Sequence, residues 1–425
     1  MEKVIAAGVR LPGTTTREMR VSLSELNGLI STAGGEVIAT VTHTGPKLSP
    51  RYLIGKGKAG ELKSAVSVHK IRSVIFDEDL SPAQQRNLEN EIDAKIIDRS
   101  RLIMDIFARR ARTKEAALQV ELAQLQYFLP RLTQKGIWLD GQVGGIGTRG
   151  PGERKLECDR RRVRDRITRL KKEMQGIKKH RATQRAKRKE HSIPTVAITG
   201  YTNVGKSTLL NAMLKRYGEN TGGAKMVPVD DKLFATLDPT TRRVTLPSGN
   251  TVLFTDTVGF IRKLPHTLIA SFRSTLEEIL EADLILFLAD ASSPDIKNQE
   301  SVVVGTIREL GADKIPMLMV YNKADLSEGL KPAHISAQNS DSVLLISAKT
   351  GDGINSLVRK IDSLLKYKSG STFTVSVPYG EHNILNFLYN NAQVLGKSYT
   401  DNGIVFRIRT DPVNEMRILR KWQKN

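Results

Sequence analysis

Two hydrophobic rhythms alternate along the first hundred residues. Apolar runs at Val4–Val9, Val37–Val41, Ser73–Phe76 and Lys95–Ile97 have the length of strands and are too short for helices. Between them lie helical signals. Ser22-Leu23-Ser24-Glu25 reads as a capping box opening a helix that stops at Gly34-Gly35, and residues 57–70 read as a second helix. Ser81-Pro82 offers an N-cap hydroxyl and a first-turn proline for a third. The β-α-β-α-β-α-β order predicts a small parallel sheet, and residues 1–106 are read as an N-terminal α/β domain.

From about Arg101 the period changes. Leu118, Leu122, Leu125, Leu129 and Leu132 follow a 4-3-4-3 spacing, and Val163, Ile167, Leu170, Met174 and Ile177 repeat it. The glycine-rich stretch 136–152 between them can continue neither helix. Residues 107–191 are therefore expected to form a long antiparallel helical hairpin whose tip is that loop. Arms of ~25–35 residues reach about 40–50 Å. The pair could serve as the core of an ordinary domain, but the second helix is too polar to be buried all round, which favours a projecting arm.

A third pattern begins at residue 192. The apolar strand Pro194–Thr199 runs into Gly200-Tyr201-Thr202-Asn203-Val204-Gly205-Lys206-Ser207-Thr208, a G-x-x-x-x-G-K-S loop in strand–loop–helix context. Glycines let backbone N–H groups converge on phosphate oxygens, and the following helix directs its positive end at them. Lys206 would stabilise phosphate charge, and the Ser207 hydroxyl would ligate Mg²⁺. A second strand ends in Asp256-Thr257-Val258-Gly259, where Asp256 would hold a Mg²⁺-bound water and the Gly259 N–H would sense a γ-phosphate. A third ends in Asn322-Lys323-Ala324-Asp325. The Asp325 carboxylate matches two guanine donors that adenine lacks, so the site should reject ATP. Ser347-Ala348-Lys349 would complete the base pocket, with the Ala348 N–H facing guanine O6. Four such strings in order, each after an apolar strand, predict a GTP-binding domain over 192–368 with a doubly wound, mostly parallel sheet. The segment between Ser207 and Asp256 that completes Mg²⁺ coordination is read as Phe234-Ala235-Thr236-Leu237-Asp238. Thr236 is the candidate hydroxyl, with Thr240 and Thr241 as rivals that spacing leaves open. Residues 369–425 read as a small C-terminal α+β appendix of unreadable role.

Charge adds a partner. The 425 residues carry 66 Lys and Arg against 45 Asp and Glu, a net of +21. Residues 153–191 hold 17 Lys and Arg against 6 acidic groups, about half that excess. Arg149 in the tip and Arg160, Arg161, Arg162, Lys171, Lys172, Lys178 and Lys179 on the second helix are the candidate RNA contacts. The single cysteine, Cys158, excludes an intramolecular disulfide and a cysteine-based zinc site. The longest apolar runs, such as Leu284–Ala289, are far short of a membrane span, and no secretory leader is visible. A soluble, intracellular chain is expected.

Together, Phe-Ala-Thr-Leu-Asp-Pro-Thr at 234–240, Asp-Thr-Val-Gly-Phe at 256–260, the phosphate loop and the Gly-x-Gly-Thr-Arg-Gly-Pro-Gly-Glu tip resemble HflX-type GTPases. The likeness runs from residue 1 to about 368. It implies a GTPase that binds the large ribosomal subunit and its rRNA and splits stalled ribosomes. It also implies Thr236 as the Mg²⁺ ligand, nucleotide contacts from residues 234–238, a cytoplasmic monomer on ribosomes or peripherally on membrane, and an ATP-linked activity of the first domain. The motif Gly55-Lys56-Gly57-Lys58 reads more readily as a basic patch for rRNA. Phe260 stands where a Ras-like enzyme has its water-orienting Gln, so turnover without a stimulus should be slow. Asn203 matches GTPases that recruit K⁺ in place of an arginine finger. An assembly or RNA-remodelling factor timed by GTP is the rival reading. A tRNA-modifying GTPase is disfavoured because the C-terminus lacks a cysteine motif.

Overall fold

The structure is a computed structural model and describes all residues except 46–47, 133–150, 191–192, 219–225, 228–232, 235, 264–267, 269–272, 328–342, 367–371, 401, 411–414 and 419–425. Its first sheet has four parallel strands, β1 (Glu2–Val9), β2 (Gly35–His43), β3 (Ser73–Phe76) and β4 (Lys95–Asp98), in the order β2-β1-β3-β4. Helices α1 (Thr16–Thr32), α2 (Lys56–His69) and α3 (Pro82–Ile92) make the crossovers. The α3 cap is the predicted one: the Gln84 N–H donates to Ser81 Oγ at 3.2 Å, and Pro82 opens the helix. The α1 cap is a correction. Thr15 and Glu18 form its capping box, so the helix starts well before Ser22. The string Ser22–Glu25 lies mid-helix because its neighbours Met19, Leu23, Leu26 and Ile30 continue one buried stripe in both directions.

The single helical period expected from Arg101 is two helices, α4 (Arg99–Arg110) and α5 (Lys114–Leu132), separated at Ala111, whose backbone is extended. α6 (Pro151–Glu190) follows as one 40-residue helix. The two heptad seams meet as predicted. Leu118, Leu122, Leu125 and Leu129 pack with Val163, Ile167, Leu170, Met174 and Ile177. Arg166 donates to both oxygens of Glu121 at 2.7 and 2.8 Å, and Arg181 pairs with Glu115 at 2.6 Å, which fixes the antiparallel register.

A free arm is not what α5 forms. Its opposite stripe, Ala116, Val120, Ala123 and Tyr127, is buried in the main core shared with α1, α4 and the next domain. Tyr127 donates to Asp98 Oδ2 at 2.8 Å, Arg131 reaches the same oxygen at 3.1 Å, and the Arg131 guanidinium lies 3.4 Å from the Tyr127 ring centre. Leucines on one face and small residues on the other allow α5 to sit between two layers.

The second sheet holds β5 (Thr195–Gly200), β6 (Thr240–Thr245), β7 (Thr251–Asp256), β8 (Leu284–Asp290), β9 (Met317–Asn322) and β10 (Val343–Leu345) in the order β10-β9-β8-β5-β7-β6. Only β6 runs antiparallel to its neighbour. Helices α7 (Lys206–Tyr217), α8 (Arg273–Leu280), α9 (Ile296–Glu309) and α10 (Ile354–Lys366) flank it. β5, β7 and β8 are almost wholly buried because both faces are covered. The last module is a three-stranded antiparallel sheet of β11 (Thr372–Pro378), β12 (Gln393–Thr400) and β13 (Gly403–Arg409) with α11 (His382–Asn391). Among the described residues no helix is long and apolar enough to cross a membrane.

The buried seam between α5 and α6 sets a direct test. Leu170 is fully buried, so Leu170→Ala should destabilise the protein by about 2–4 kcal/mol. Its exposed neighbour Arg169→Ala should stay within about 0.5 kcal/mol, read by chemical denaturation.

Candidate functional site

The carboxyl end of β5 turns sharply into α7, and two residues set that turn. Asn203 has φ 60° and Gly205 φ 90°, both left-handed. A Cβ on Gly205 would lie 2.4 Å from the Asn322 side-chain nitrogen, so only glycine lets the loop pass under β9. Asn322 closes the contact by donating to the Val204 carbonyl at 2.8 Å. Lys206 is buried and its Nζ donates to the Tyr201 carbonyl at 2.7 Å. Burial lowers its pKa to about 8, with Asp256 opposing the shift. Gly259 lies against the loop, where a Cβ would come within 2.8 Å of Lys206 Nζ. The next residue zips to the loop: the Phe260 N–H donates to the Gly200 carbonyl at 3.0 Å and the Thr202 N–H to the Phe260 carbonyl at 2.8 Å. The Phe260 ring is buried in the core. Val204, Val258 and Thr257 are buried beside it, the Thr257 hydroxyl donating to the Ile198 carbonyl at 2.8 Å.

Three side chains converge at the start of α7. The Ser207 hydroxyl donates to Asp256 Oδ2 at 2.6 Å, Thr236 donates to the same oxygen at 3.1 Å, and the two hydroxyls are 3.0 Å apart. Asp256 is fully buried, and burial raises its pKa. Its Oδ1 has no hydrogen-bond partner among the described residues. The rivals of Thr236 face elsewhere. Thr241 pairs with the Thr255 hydroxyl at 3.0 Å, and Thr240 reaches only the Asp238 carbonyl, at 3.5 Å.

The neighbours of Thr236 depart from expectation. Phe234 and Leu237 are buried in the core, and the Phe234 ring meets Phe107 of α4 edge-on at 4.6 Å. Asp238 accepts hydrogen bonds at the start of α5, from the Arg112 and Thr113 N–H groups at 3.1 and 3.2 Å. Apolar burial and the local N–H donors hold these side chains, so among the described residues of this segment Thr236 is the one whose side chain faces the loop. Ala235 lies outside the described residues.

At the far end of the sheet Asp325 is exposed, and its Oδ1 accepts the Ser347 hydroxyl at 2.7 Å. Lys323, φ 65°, pairs with Asp290 at 2.7 Å. The Ala348 N–H donates to Asn322 Oδ1 at 2.8 Å, so in this structure it is taken by protein and not free for a base. Ala324 and Lys349 flank this end, the Ala324 N–H donating to the Ile346 carbonyl at 3.1 Å. Thr208 is half-buried in the first turn of α7, just before buried Leu209 and Leu210.

Of the basic residues, Arg161, Arg162, Lys171, Lys172 and Lys179 are exposed on α6 and Arg160 is half-buried. Lys178 is engaged, pairing with Glu277 of α8 at 2.7 Å, because α6 passes close to that helix here. Arg149 lies outside the described residues.

One group of functional contacts was not anticipated. Arg99, 1% exposed, donates to Asp77 at 2.6 Å, to Glu25, and to the Arg262 carbonyl at 3.2 Å. Lys263 reaches Asp77 and Glu78 at 2.6 Å each. Tyr201 of the loop donates to Glu25, and its oxygen accepts the Arg262 N–H at 2.8 Å. The sequence held a signal: charged residues at the carboxyl ends of the adjacent strands β3 and β4, Asp77-Glu78-Asp79 and Asp98-Arg99.

Three family descriptions match the chain in order: "GTP-binding GTPase N-terminal" over residues 20–108, "GTP-binding GTPase Middle Region" over 110–188 and "50S ribosome-binding GTPase" over 195–323. A protein of Caldanaerobacter subterraneus named GTPase HflX is 47% identical over 383 residues, 90% of this chain and 86% of that one. The chain belongs to the HflX family of GTPases. A GTPase HflX of Alkalihalophilus pseudofirmus is 44% identical, covering 87% of each chain. A solved GTP-binding protein of Sulfolobus solfataricus in complex with GDP is 22% identical over 86% of this chain and 99% of its own, with a TM-score of 0.46. GTP hydrolysis is the activity of this family, and residues 195–323 are its GTPase domain.

Without an anion beside it, the buried Lys206 ammonium destabilises this loop. Its folded pKa of about 8 lies below the ordinary 10.5, so the folded state releases the proton first and stability rises as pH climbs from about 8 towards 10.5. Lys206→Met should therefore stabilise the nucleotide-free protein at pH 7 by about 3 kcal/mol, and the gain should fade by pH 10. Unfolding midpoints at the two pH values read it.

Proposed function

We propose that this HflX GTPase binds the large ribosomal subunit through its basic helix pair and splits stalled ribosomes, with GTP controlling binding and release. The observation that carries the proposal is the packing of α5 on both α6 and the core of the GTPase domain. A change at the nucleotide site is thereby joined to a helix that bears exposed Arg161, Arg162, Lys171, Lys172 and Lys179. We read 1–106, 107–191, 192–368 and 369–425 as its four units, and the cytoplasm as its place of action.

The chemistry follows from the charges and donors of the loop. Lys206 would meet the β- and γ-phosphates, whose charge would move its proton equilibrium back towards the cation. Gly200–Thr208 supply N–H groups and the positive end of α7. Ser207, Thr236 and Asp256 fit Mg²⁺: three oxygens lie within 3.1 Å of one another, and a buried carboxylate oxygen lacks a partner. When bound, Mg²⁺ would neutralise charge developing on the phosphates. Asn203 is the residue that would recruit a K⁺. Phe260, being apolar and buried, orients no water, so hydrolysis should depend on a stimulus from the ribosome. Asp325, held by Ser347, would read guanine N1–H and the 2-amino group.

Base reading is tested by Asp325→Asn, which exchanges a double acceptor for an amide. GTP affinity should fall at least about tenfold while xanthosine triphosphate affinity rises, because the amide can donate to the xanthine 2-carbonyl. Unchanged GTP affinity in calorimetry would remove Asp325 from the pocket.

Ribosome binding is tested by salt and by deletion. Affinity for the large subunit should drop by roughly 0.7–0.9 log units per phosphate contact for each log unit of salt. Charge reversal at Arg160, Arg161 and Arg162 should flatten that slope. Deleting residues 136–152 should leave GTP affinity intact and abolish splitting of 70S ribosomes in sedimentation profiles. Wild-type splitting by the deletion would reduce the tip to a linker.

A further inference from the structure

Thr236 is held from both sides by residues of other units. On its N-terminal side, Leu233 packs over Gly28 of α1, where a Cβ on that glycine would lie 3.1 Å from Leu233 Cδ1. Phe234 adopts φ 57° and buries its ring against Phe107 of α4. On its C-terminal side, Asp238 sits at the start of α5. Its Oδ2 accepts the Arg112 and Thr113 N–H groups at 3.1 and 3.2 Å, and its Oδ1 accepts the Thr113 hydroxyl. Thr113 is itself the cap of α5: its hydroxyl accepts the Ala116 N–H at 3.1 Å, and its carbonyl accepts the Ala117 N–H at 3.0 Å. The carboxylate thus satisfies donors that the first turn cannot, and its negative charge faces the positive end of a 19-residue helix. Hydrogen bonds to an ionised acceptor are about twice as strong as neutral ones. With three protein donors on it, Asp238 is committed to α5.

We propose that Asp238 is a positioning residue for GTP hydrolysis, fixing the Thr236 segment to the first turn of α5. The inference rests on the reading of Thr236 as a Mg²⁺ ligand. Thr236 can approach Ser207 and Asp256 only while the chain between Phe234 and Asp238 keeps its path, and that path is set at one end by a ring contact and at the other by this carboxylate. Coupling is reciprocal. Seating of Thr236 by metal and nucleotide tightens the start of α5, and a disturbance of α5 loosens Thr236. The helix that carries the leucine seam for basic α6 is thereby part of the nucleotide site without touching the nucleotide. A cap that merely stabilised α5 would leave the metal requirement alone, and a side chain that touched the nucleotide would not depend on Thr113.

The test uses the full chain with Asp238→Asn, Thr113→Val, their double variant and Thr236→Val. Two readouts are taken: the Mg²⁺ concentration at half-maximal binding of a non-hydrolysable GTP analogue, and amide hydrogen exchange over residues 112–118 with and without analogue. Asp238→Asn should raise the Mg²⁺ midpoint about five- to tenfold. Thr113→Val should raise it less, since the backbone N–H groups still reach Asp238. The double variant should fall short of the product of the two, because they share the Thr113 hydroxyl contact. In the wild type, analogue and Mg²⁺ should slow exchange at 112–118, and Asp238→Asn should erase that difference. A wild-type Mg²⁺ midpoint in Asp238→Asn, alongside a raised one in Thr236→Val, would overturn the inference and leave the Mg²⁺ reading standing. A wild-type midpoint in Thr236→Val would overturn both. Additive effects of Asp238→Asn and Thr113→Val would overturn the shared anchor, and direct contact with nucleotide would explain the Asp238 effect instead.

Discussion

A buried guanidinium cannot be left without anions, and Arg99 imposes that constraint on this fold. It opens α4 at the end of β4, is 1% exposed, and is answered by Asp77 from the end of β3 and Glu25 from mid-α1. Removing one partner of such a set typically costs 3–5 kcal/mol, because a charge then stays in a medium that does not solvate it. The same guanidinium donates to the Arg262 carbonyl, and Asp77 also takes Lys263. The segment after Asp-Thr-Val-Gly is therefore docked on the first sheet by a shared set of buried and half-buried charges. Tyr201 adds a second thread, from the phosphate loop to Glu25. The nucleotide site is built by one domain and clamped by another.

What could be read in advance follows from how local each cause is. The four parallel strands, the Ser81 cap and the facing seams of α5 and α6 depend on residues a few positions apart, so spacing reveals them. The motif glycines and Asn322 are equally legible, since their geometry repeats wherever a loop passes under a strand. The first helix was misplaced because Ser22 and Glu25 imitate a cap, whereas their hydroxyl and carboxylate serve Asp77, Arg99 and Tyr201 from mid-helix. Spacing cannot reveal a partner 55 or 176 positions away. The same limit hid the role of Asp238, whose partners lie 125 and 126 positions earlier. Lys178 reads in the sequence as one more candidate RNA contact, and its ion pair with Glu277 depends on α8, about a hundred residues further on.

The site itself balances two buried charges that are not yet in contact with what they serve. Burial drives Lys206 towards the neutral amine and Asp256 towards the neutral acid, and each partly restores the other's charge. Lys206 turns onto the Tyr201 carbonyl, and Asp256 holds two hydroxyls. A phosphate would favour the Lys206 ammonium, and a cation would favour the Asp256 carboxylate. At the other end of the sheet the Ser347 hydroxyl holds Asp325, the residue proposed to read the base.

The unbroken 40 residues of α6 have a mechanical consequence. Lys178 is tied to Glu277 of the GTPase domain, and Pro151 stands 27 residues away along the same rod. The leucine seam holds α6 against α5 from Val163 to Ile177, so the part beyond the seam runs from Pro151 to Arg162, about 18 Å at 1.5 Å per residue. An unbroken helix has no joint at which to absorb a displacement, so whatever shift α5 makes is carried whole to Pro151.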